Sequence, residues 1–182
     1  MSYPNKHRSI DMDYRTTAMS VGLAVASLVG GLAGATPTVG VVFNNVLATG
    51  TDNKDIDTRA HVNLPATAGD DDEWSAKVET DGASNVVVQD VAFLPGGYTG
   101  WHNHPGILLL TLTEGSIEWY DAKCGKHIYN AGDSWTENTP LHYVRAVGSV
   151  NARFMITYLI AKGQPKRIDQ AAPACAAALG LF

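Results

Sequence analysis

The stretch GGYTGWHNHPG, residues 96–106, sets His102 and His104 one residue apart between glycine-rich turns. In an extended strand, residues i and i+2 point to the same side. Both imidazoles therefore face one way, about 7 Å apart along the chain. Nitrogen ligands sit about 2 Å from zinc or iron, so one ion can be reached by both. Trp101 and Asn103 then point to the other side. A third nitrogen donor has to come from another strand, and the next histidine in a β-forming context is His142, in PLHYV. The plain alternative is a pair of hydrogen-bonded loop histidines. His61 and His127 stand in polar contexts and read as exposed. Glu118 and Gln89 carry oxygens, but no local pattern brings either to the pair.

The elements around these residues are short and β-rich. TVGVVFNNVLATG (38–50), AHVNLPA (60–66), WSAKVET and NVVVQDVAFL (85–94) read as strands separated by turn residues. ILLLTLT (107–113) is apolar on both faces, the pattern of a fully buried strand. SIEWYDA, GKHIYNAGDSWTE, PLHYVRAVGS and ARFMITYLIAKG complete the set, and almost nothing reads as helix. The acidic run GDDDE (69–73) lacks the spaced ligands of a calcium loop and reads as solvated. Many short strands at roughly 8–12-residue spacing predict an all-β sandwich or barrel.

Charge excludes some partners. The chain is net −5, and its only adjacent basic pair is Lys166-Arg167. A nucleic acid or an anionic membrane would meet no counter-charged surface. The first 35 residues differ from the rest, with Lys6, Arg8 and Arg15 ahead of the uncharged AMSVGLAVASLVGGLAGA, which ends in Ala33-Gly34-Ala35. This fits a secretory signal cleaved after Ala35, with no membrane association afterwards. The alternative is an uncleaved anchor, although Gly, Ser, Thr and Pro interrupt the apolar run that follows. Export places the domain in a secreted or periplasmic setting. There Cys124 and Cys175 read as a disulfide closing a loop of about 50 residues, the alternative being two separate thiols. The expected organisation is a leader over 1–35, N-terminal strands and loops packing on a barrel over 36–79, the barrel over 80–165, and a disulfide-tethered tail over 166–182.

The spacing around the histidines resembles a known family. Gly96, five residues, His102-x-His104, three residues, Leu108, six residues and Gly115 is similar to the first motif of the cupins. YNAGDSWTENTPLHYVRAVG (129–148) resembles the second, with Gly132-Asp133 at its turn and His142 at its histidine position. The resemblance implies a double-stranded β-helix, the jelly-roll barrel of cupins, with a divalent metal ion near one mouth. Two positions depart from it. Leu108 stands where the family's glutamate would be, so the usual shell of three histidines and a carboxylate lacks its carboxylate. Ala146 stands where an asparagine often follows. What the motifs leave is a His102, His104, His142 triad, similar to the three-histidine iron sites of cysteine, gentisate and β-diketone dioxygenases.

Three neutral imidazoles leave a divalent ion its full charge, which favours an anionic chelating ligand. Strand parity turns Leu110, Leu112 and Val144 toward the same interior as the histidines, with Leu108, Tyr98 and Tyr143 as further candidate pocket walls. Iron, manganese, zinc, nickel and copper fit the donors equally well. Two functions follow. The first is a metal-dependent oxygenase acting on a small oxygen-rich or aromatic molecule. The second is a non-catalytic barrel that holds a small ligand or a metal ion. The sequence contains no nucleophile elbow, phosphate loop or paired-carboxylate site. Cupins often pair through barrel edges, so the resemblance also implies a homodimer.

Overall fold

The computed structural model describes residues 34–63 and 73–181. The expected leader lies outside them except for its last two residues, and so does the acidic run except for Glu73. Among the described residues the chain forms β1 (Val39–Asp52), β2 (Asp57–Asn63), β3 (Glu73–Glu79), β4 (Ser84–Tyr98), β5 (His102–Asn103), β6 (Gly106–Glu114), β7 (Ser116–Asp121), β8 (Lys126–Asn130), β9 (Ser134–Glu137), β10 (His142–Val147), β11 (Ala152–Ala161) and β12 (Ile168–Asp169). One turn of helix, α1 (Ala176–Leu179), follows. No helix among them is long and apolar enough to cross a membrane.

All strand pairs are antiparallel. The order β12-β5-β10-β4-β11-β6-β9 runs through one sheet, with β1 on the free side of β4 and the β7–β8 hairpin on β10. Strands β1, β4, β11, β6 and β9 form one wall. Strands β12, β5, β10, β7 and β8 form the other, and the single pair Arg145–Tyr98 joins β10 to β4. The result is a nearly closed double-stranded β-helix, the architecture the motif spacing implies.

Alternation along each strand fills the interior. On β6 the side chains of Leu108, Leu110 and Leu112 are buried while Ile107 and Leu109 are more than half exposed. The reading of this strand as buried on both faces is thus corrected: among the described residues nothing covers Ile107 and Leu109 on its outer face. Val91 and Phe93 from β4 and Phe154, Ile156 and Tyr158 from β11 meet the leucines in one core. Each such side chain taken from water contributes about 1.5–3 kcal/mol. Gly106 lets β6 start hard against β11, since a Cβ there would lie 2.3 Å from the Leu159 carbonyl oxygen.

A second, smaller core holds the tail. Trp101, Tyr120, Tyr143, Ala176 and Leu181 pack together, and the Trp101 indole donates to the Leu181 carbonyl. The Cys124–Cys175 disulfide, between residues 51 apart, fastens the tail beside β7. Strands β2 and β3 stand as a separate two-stranded hairpin. Its register puts Ala60, Val62, Trp74, Ala76 and Val78 on one face and Arg59, His61, Ser75 and Lys77 on the other.

Candidate metal centre

His102 and His142 face each other directly across β5 and β10. His104, two residues on, turns to the same side as its parity requires. Their ring centroids lie 4.3 Å apart for His102 and His142, 4.9 Å for His102 and His104, and 5.1 Å for His104 and His142. All three are buried.

A fourth donor joins them. Glu137, at the end of β9, is buried, and one ligand atom from each of His102, His104, Glu137 and His142 lies within 4.8 Å of every other. The expectation of a shell without a carboxylate is therefore corrected. Glu137 is the direct cross-strand partner of Leu108. Facing residues of an antiparallel pair project their Cβ atoms into the same space, about 5 Å apart. Leu108 fills core, and the carboxylate reaches the histidines from the neighbouring strand.

Backbone carbonyls orient each imidazole. His102 Nδ1 lies 2.9 Å from the Gly100 oxygen, His104 Nδ1 2.6 Å from that of Lys166, and His142 Nδ1 2.9 Å from that of Pro140. A carbonyl only accepts, so each ring donates its proton at Nδ1 and presents a bare lone pair at Nε2. The backbone turn at Gly100 has φ +70°, and a Cβ there would sit 2.3 Å from the Thr36 carbonyl oxygen, so only glycine delivers that carbonyl to His102.

Glu137 is oriented as tightly. Its Oε1 accepts from the indoles of Trp119 and Trp135, each at 3.0 Å. Its Oε2 lies 3.3 Å from His104 Nε2 and 3.2 Å from His142 Nε2. Neither contact is a hydrogen bond, and both Nε2 atoms are buried without a partner. Trp119 also stacks on His142, with ring centroids 5.7 Å apart.

The carbonyl contacts at Nδ1 leave the converging Nε2 atoms of the three rings without protons. Burial pushes His102 well below its ordinary value, and the neighbouring His142 and Arg167 add to this. A buried set of acceptors crowded together without protons is unfavourable unless a cation sits among them. The donor set, three imidazoles and a carboxylate, suits a divalent ion of the first transition series. The residues present fit such an ion.

A cavity of about 100 Å³ opens on these donors, lined by His102, His104 and Glu137 and by Leu110, Val144 and Tyr158 among others. Leu110 and Val144 thus stand where parity puts them. Leu108 lies deeper in the core. Tyr98 and Tyr143 lie outside the cavity, stacked on each other at 5.6 Å against the tail core. For Tyr143 the reason is alternation, since it falls between His142 and Val144. Gln89 lines the cavity but hydrogen-bonds Asn44 and Lys166, while Glu118 is held by Arg145, Lys126 and Tyr120. His61 and His127 are exposed.

One local signal marks Glu137 in the sequence. Trp135 and Glu137 alternate with exposed Ser134 and Thr136, so a carboxylate shares a face with a buried tryptophan five residues before His142.

No protein-family model and no curated protein matches the chain. Among solved structures it is similar to an uncharacterized conserved protein with a double-stranded β-helix domain from Klebsiella pneumoniae subsp. pneumoniae, at 17% identity over 65% of this chain and 85% of that one, TM-score 0.41. It is similar to a cupin domain from Bordetella pertussis at 20% identity over 59% and 95%, TM-score 0.38. The strand order itself is that of a double-stranded β-helix, the barrel the two motifs imply by resemblance. Peruvianin-I, a cysteine peptidase from Thevetia peruviana latex, is similar at 23% identity over 48% of this chain, TM-score 0.40, and this chain spans 56% of that protein's length.

Proposed function

We propose that this protein, a barrel resembling the cupins, is a metal-dependent enzyme that binds a small oxygen-donor molecule at a divalent ion held by His102, His104, Glu137 and His142. One observation carries the reading. Three imidazole lone pairs and a carboxylate oxygen converge in a buried space, with the proton of every ring committed to a backbone carbonyl. A cation there would supply Lewis acidity and, if redox-active, a centre for oxygen chemistry.

The surrounding residues serve a small bound molecule. The apolar walls at Leu110, Val144 and Ile156 exclude bulk water from the donor end of the cavity. Burial pushes the Tyr158 phenol far above its ordinary value, so it stays protonated and acts as a donor at the cavity wall. Glu137 removes one unit of charge from the ion, so the analogy to three-histidine dioxygenases loses its basis. The choice between oxygenation and other metal-assisted chemistry then rests on the ion itself. The Cys124–Cys175 bridge supports a working place outside the reducing cytoplasm.

A second reading, a barrel that holds metal or ligand without turnover, is favoured because, among the described residues, every carboxylate and imidazole lining the cavity belongs to the four-donor centre. The test is metal content of the full chain, purified without a histidine tag and measured by plasma mass spectrometry beside His102→Ala and Glu137→Gln. About one ion per chain, lost in both variants, is expected. Protein that stays metal-free after incubation with iron, manganese, zinc, nickel and copper salts overturns the proposal. Oxygen uptake with catechol and diketone substrates then separates the enzyme from the inert barrel.

A further inference from the structure

The Lys166-Arg167 pair has no part in the four-donor centre, yet it stands at the same cavity. Arg167 lines it together with His102 and Tyr158, and three-quarters of its side chain is withdrawn from solvent (25% exposed). Its Nε pairs with the exposed Asp169, and one terminal nitrogen donates to the Thr99 carbonyl. Those two bonds fix the guanidinium and leave Nη1 uncommitted among the described residues. Lys166 Nζ donates to Gln89, a buried cavity residue, and stands 5.6 Å over the Tyr158 ring, which also lines the cavity.

The charges add in one direction. Three neutral imidazoles and one carboxylate would leave a bound divalent ion with a surplus of about one unit. Arg167 and Lys166 add to that surplus, and Asp169, ion-paired to Arg167 from the solvent side, offsets one unit of it. The chain as a whole is net −5, so this is a positive pocket in an acidic protein. A guanidinium matches the paired oxygens of a carboxylate or phosphate. The rest of the lining decides between these, because Val91, Phe93, Phe154 and Ile156 offer hydrocarbon, while Thr38, Asn44, Gln89 and Thr99 already hydrogen-bond protein groups. At about 100 Å³ the cavity is well below the roughly 300 Å³ of pockets that take drug-sized ligands.

We propose that the cavity takes a short-chain organic carboxylate, with its charged end on Arg167 beside Lys166 and its hydrocarbon on the Val91–Phe93 wall. This names the substrate class of the proposed centre and rests on that reading for what lies at the other end. The anchor itself works without metal, which allows a separate test.

The experiment is calorimetric titration of the full chain with butyrate, butyramide and inorganic phosphate, in metal-stripped protein and after reloading with manganese. Butyrate binding to the metal-stripped protein is expected, at least about tenfold tighter than butyramide and tighter than phosphate. Arg167→Gln is expected to bring butyrate down to the butyramide level, while Arg167→Lys retains part of the difference. Equal affinity for butyrate and butyramide, tighter binding of phosphate, or an unchanged Arg167→Gln variant overturns the inference. If Arg167→Gln fails to fold, the ligand comparison on the native chain and on Lys166→Gln decides, with at least a threefold loss expected in the latter. Manganese uptake in the same samples keeps the two proposals apart. Uptake without a butyrate preference leaves the metal centre and removes the carboxylate, and the reverse result does the opposite.

Discussion

Replacing Glu137 by glutamine tests the acceptor-only reading of the centre, because the expected effect changes sign with metal. Without metal, Glu137 Oε2 stands 3.3 and 3.2 Å from two Nε2 lone pairs that it cannot hydrogen-bond. The glutamine carbonyl can keep both indole bonds on the Oε1 side, while its NH2 donates to His104 and His142. Two new neutral hydrogen bonds contribute about 0.5–1.5 kcal/mol each. Loss of the buried carboxylate adds to this, and weaker indole bonds to a neutral oxygen subtract. A net gain of about 2 kcal/mol is expected, or about 4–8 °C in Tm for a domain of this size. With metal the order reverses. At an ion concentration 100 times its Kd, the native protein gains about 2.7 kcal/mol from binding. The variant has lost a charged ligand and filled the space with N–H groups, so it gains almost nothing. Melting curves at pH 8.5, with chelator and with excess manganese or zinc, should therefore cross over. A variant that melts below the native protein in chelator refutes the reasoning, because it would show that Glu137 already receives protons from the imidazoles.

Other expectations follow from the same contacts. Trp119→Phe and Trp135→Phe each remove one donor from Glu137 Oε1 and should weaken metal binding about tenfold, read by competition with a chelating dye. His102 is neutral in the fold and below its ordinary value, so below about pH 6.5 the unfolded chain binds more protons than the folded one. Metal-free stability measured in urea should thus be level above that pH and fall from 6.5 toward 5, and a flat profile there would contradict the burial of a neutral imidazole. Removing the Cys124–Cys175 bridge, which joins residues 51 apart, should cost up to about 4 kcal/mol, seen as a lower Tm in Cys124→Ala/Cys175→Ala. Arg145→Met strips the main partner from Glu118, whose carboxyl is held down to about 2 against its burial by Arg145, Tyr120 and Lys126. Native stability from this group is present above about pH 4.5 and lost toward pH 2, and the variant should lack about 1 kcal/mol of it when melts at pH 7 and 3 are compared.

Much of the barrel is written in local pattern. The alternation of β6 sets Leu108, Leu110 and Leu112 inward, and the His-x-His spacing in β5 needs only strand parity to put two imidazoles on one face. The missing carboxylate is a different kind of fact. Strands β8 and β9 follow each other in sequence, yet β8 pairs with β7 and β9 pairs with β6. Nothing within residues 126–137 reports that crossing, and without it Glu137 reads as the polar end of a hairpin. Tyr98 and Tyr143 failed as cavity residues for a local reason. Tyr143 neighbours a ligand in sequence, but alternation along β10 sends it to the opposite side.

The placement of the carboxylate has a further consequence for how the centre can be observed. A glutamate on β6 would have reached the histidines alone, whereas one on β9 arrives with Trp135 two residues before it on the same face. Trp119 completes the clamp from β7 while stacking on His142. Two of the chain's four tryptophans are therefore coupled to the ligand set through an indole N–H, and the other two, Trp74 and Trp101, are not. An ion drawing charge from Glu137 weakens the acceptor that both indoles use, so tryptophan emission should shift on metal addition. Trp119→Phe/Trp135→Phe should abolish that shift, although Trp74 and Trp101 still emit, and Glu137→Gln should abolish it with every tryptophan in place. An undiminished response in the double variant would place the ion elsewhere than among His102, His104, Glu137 and His142.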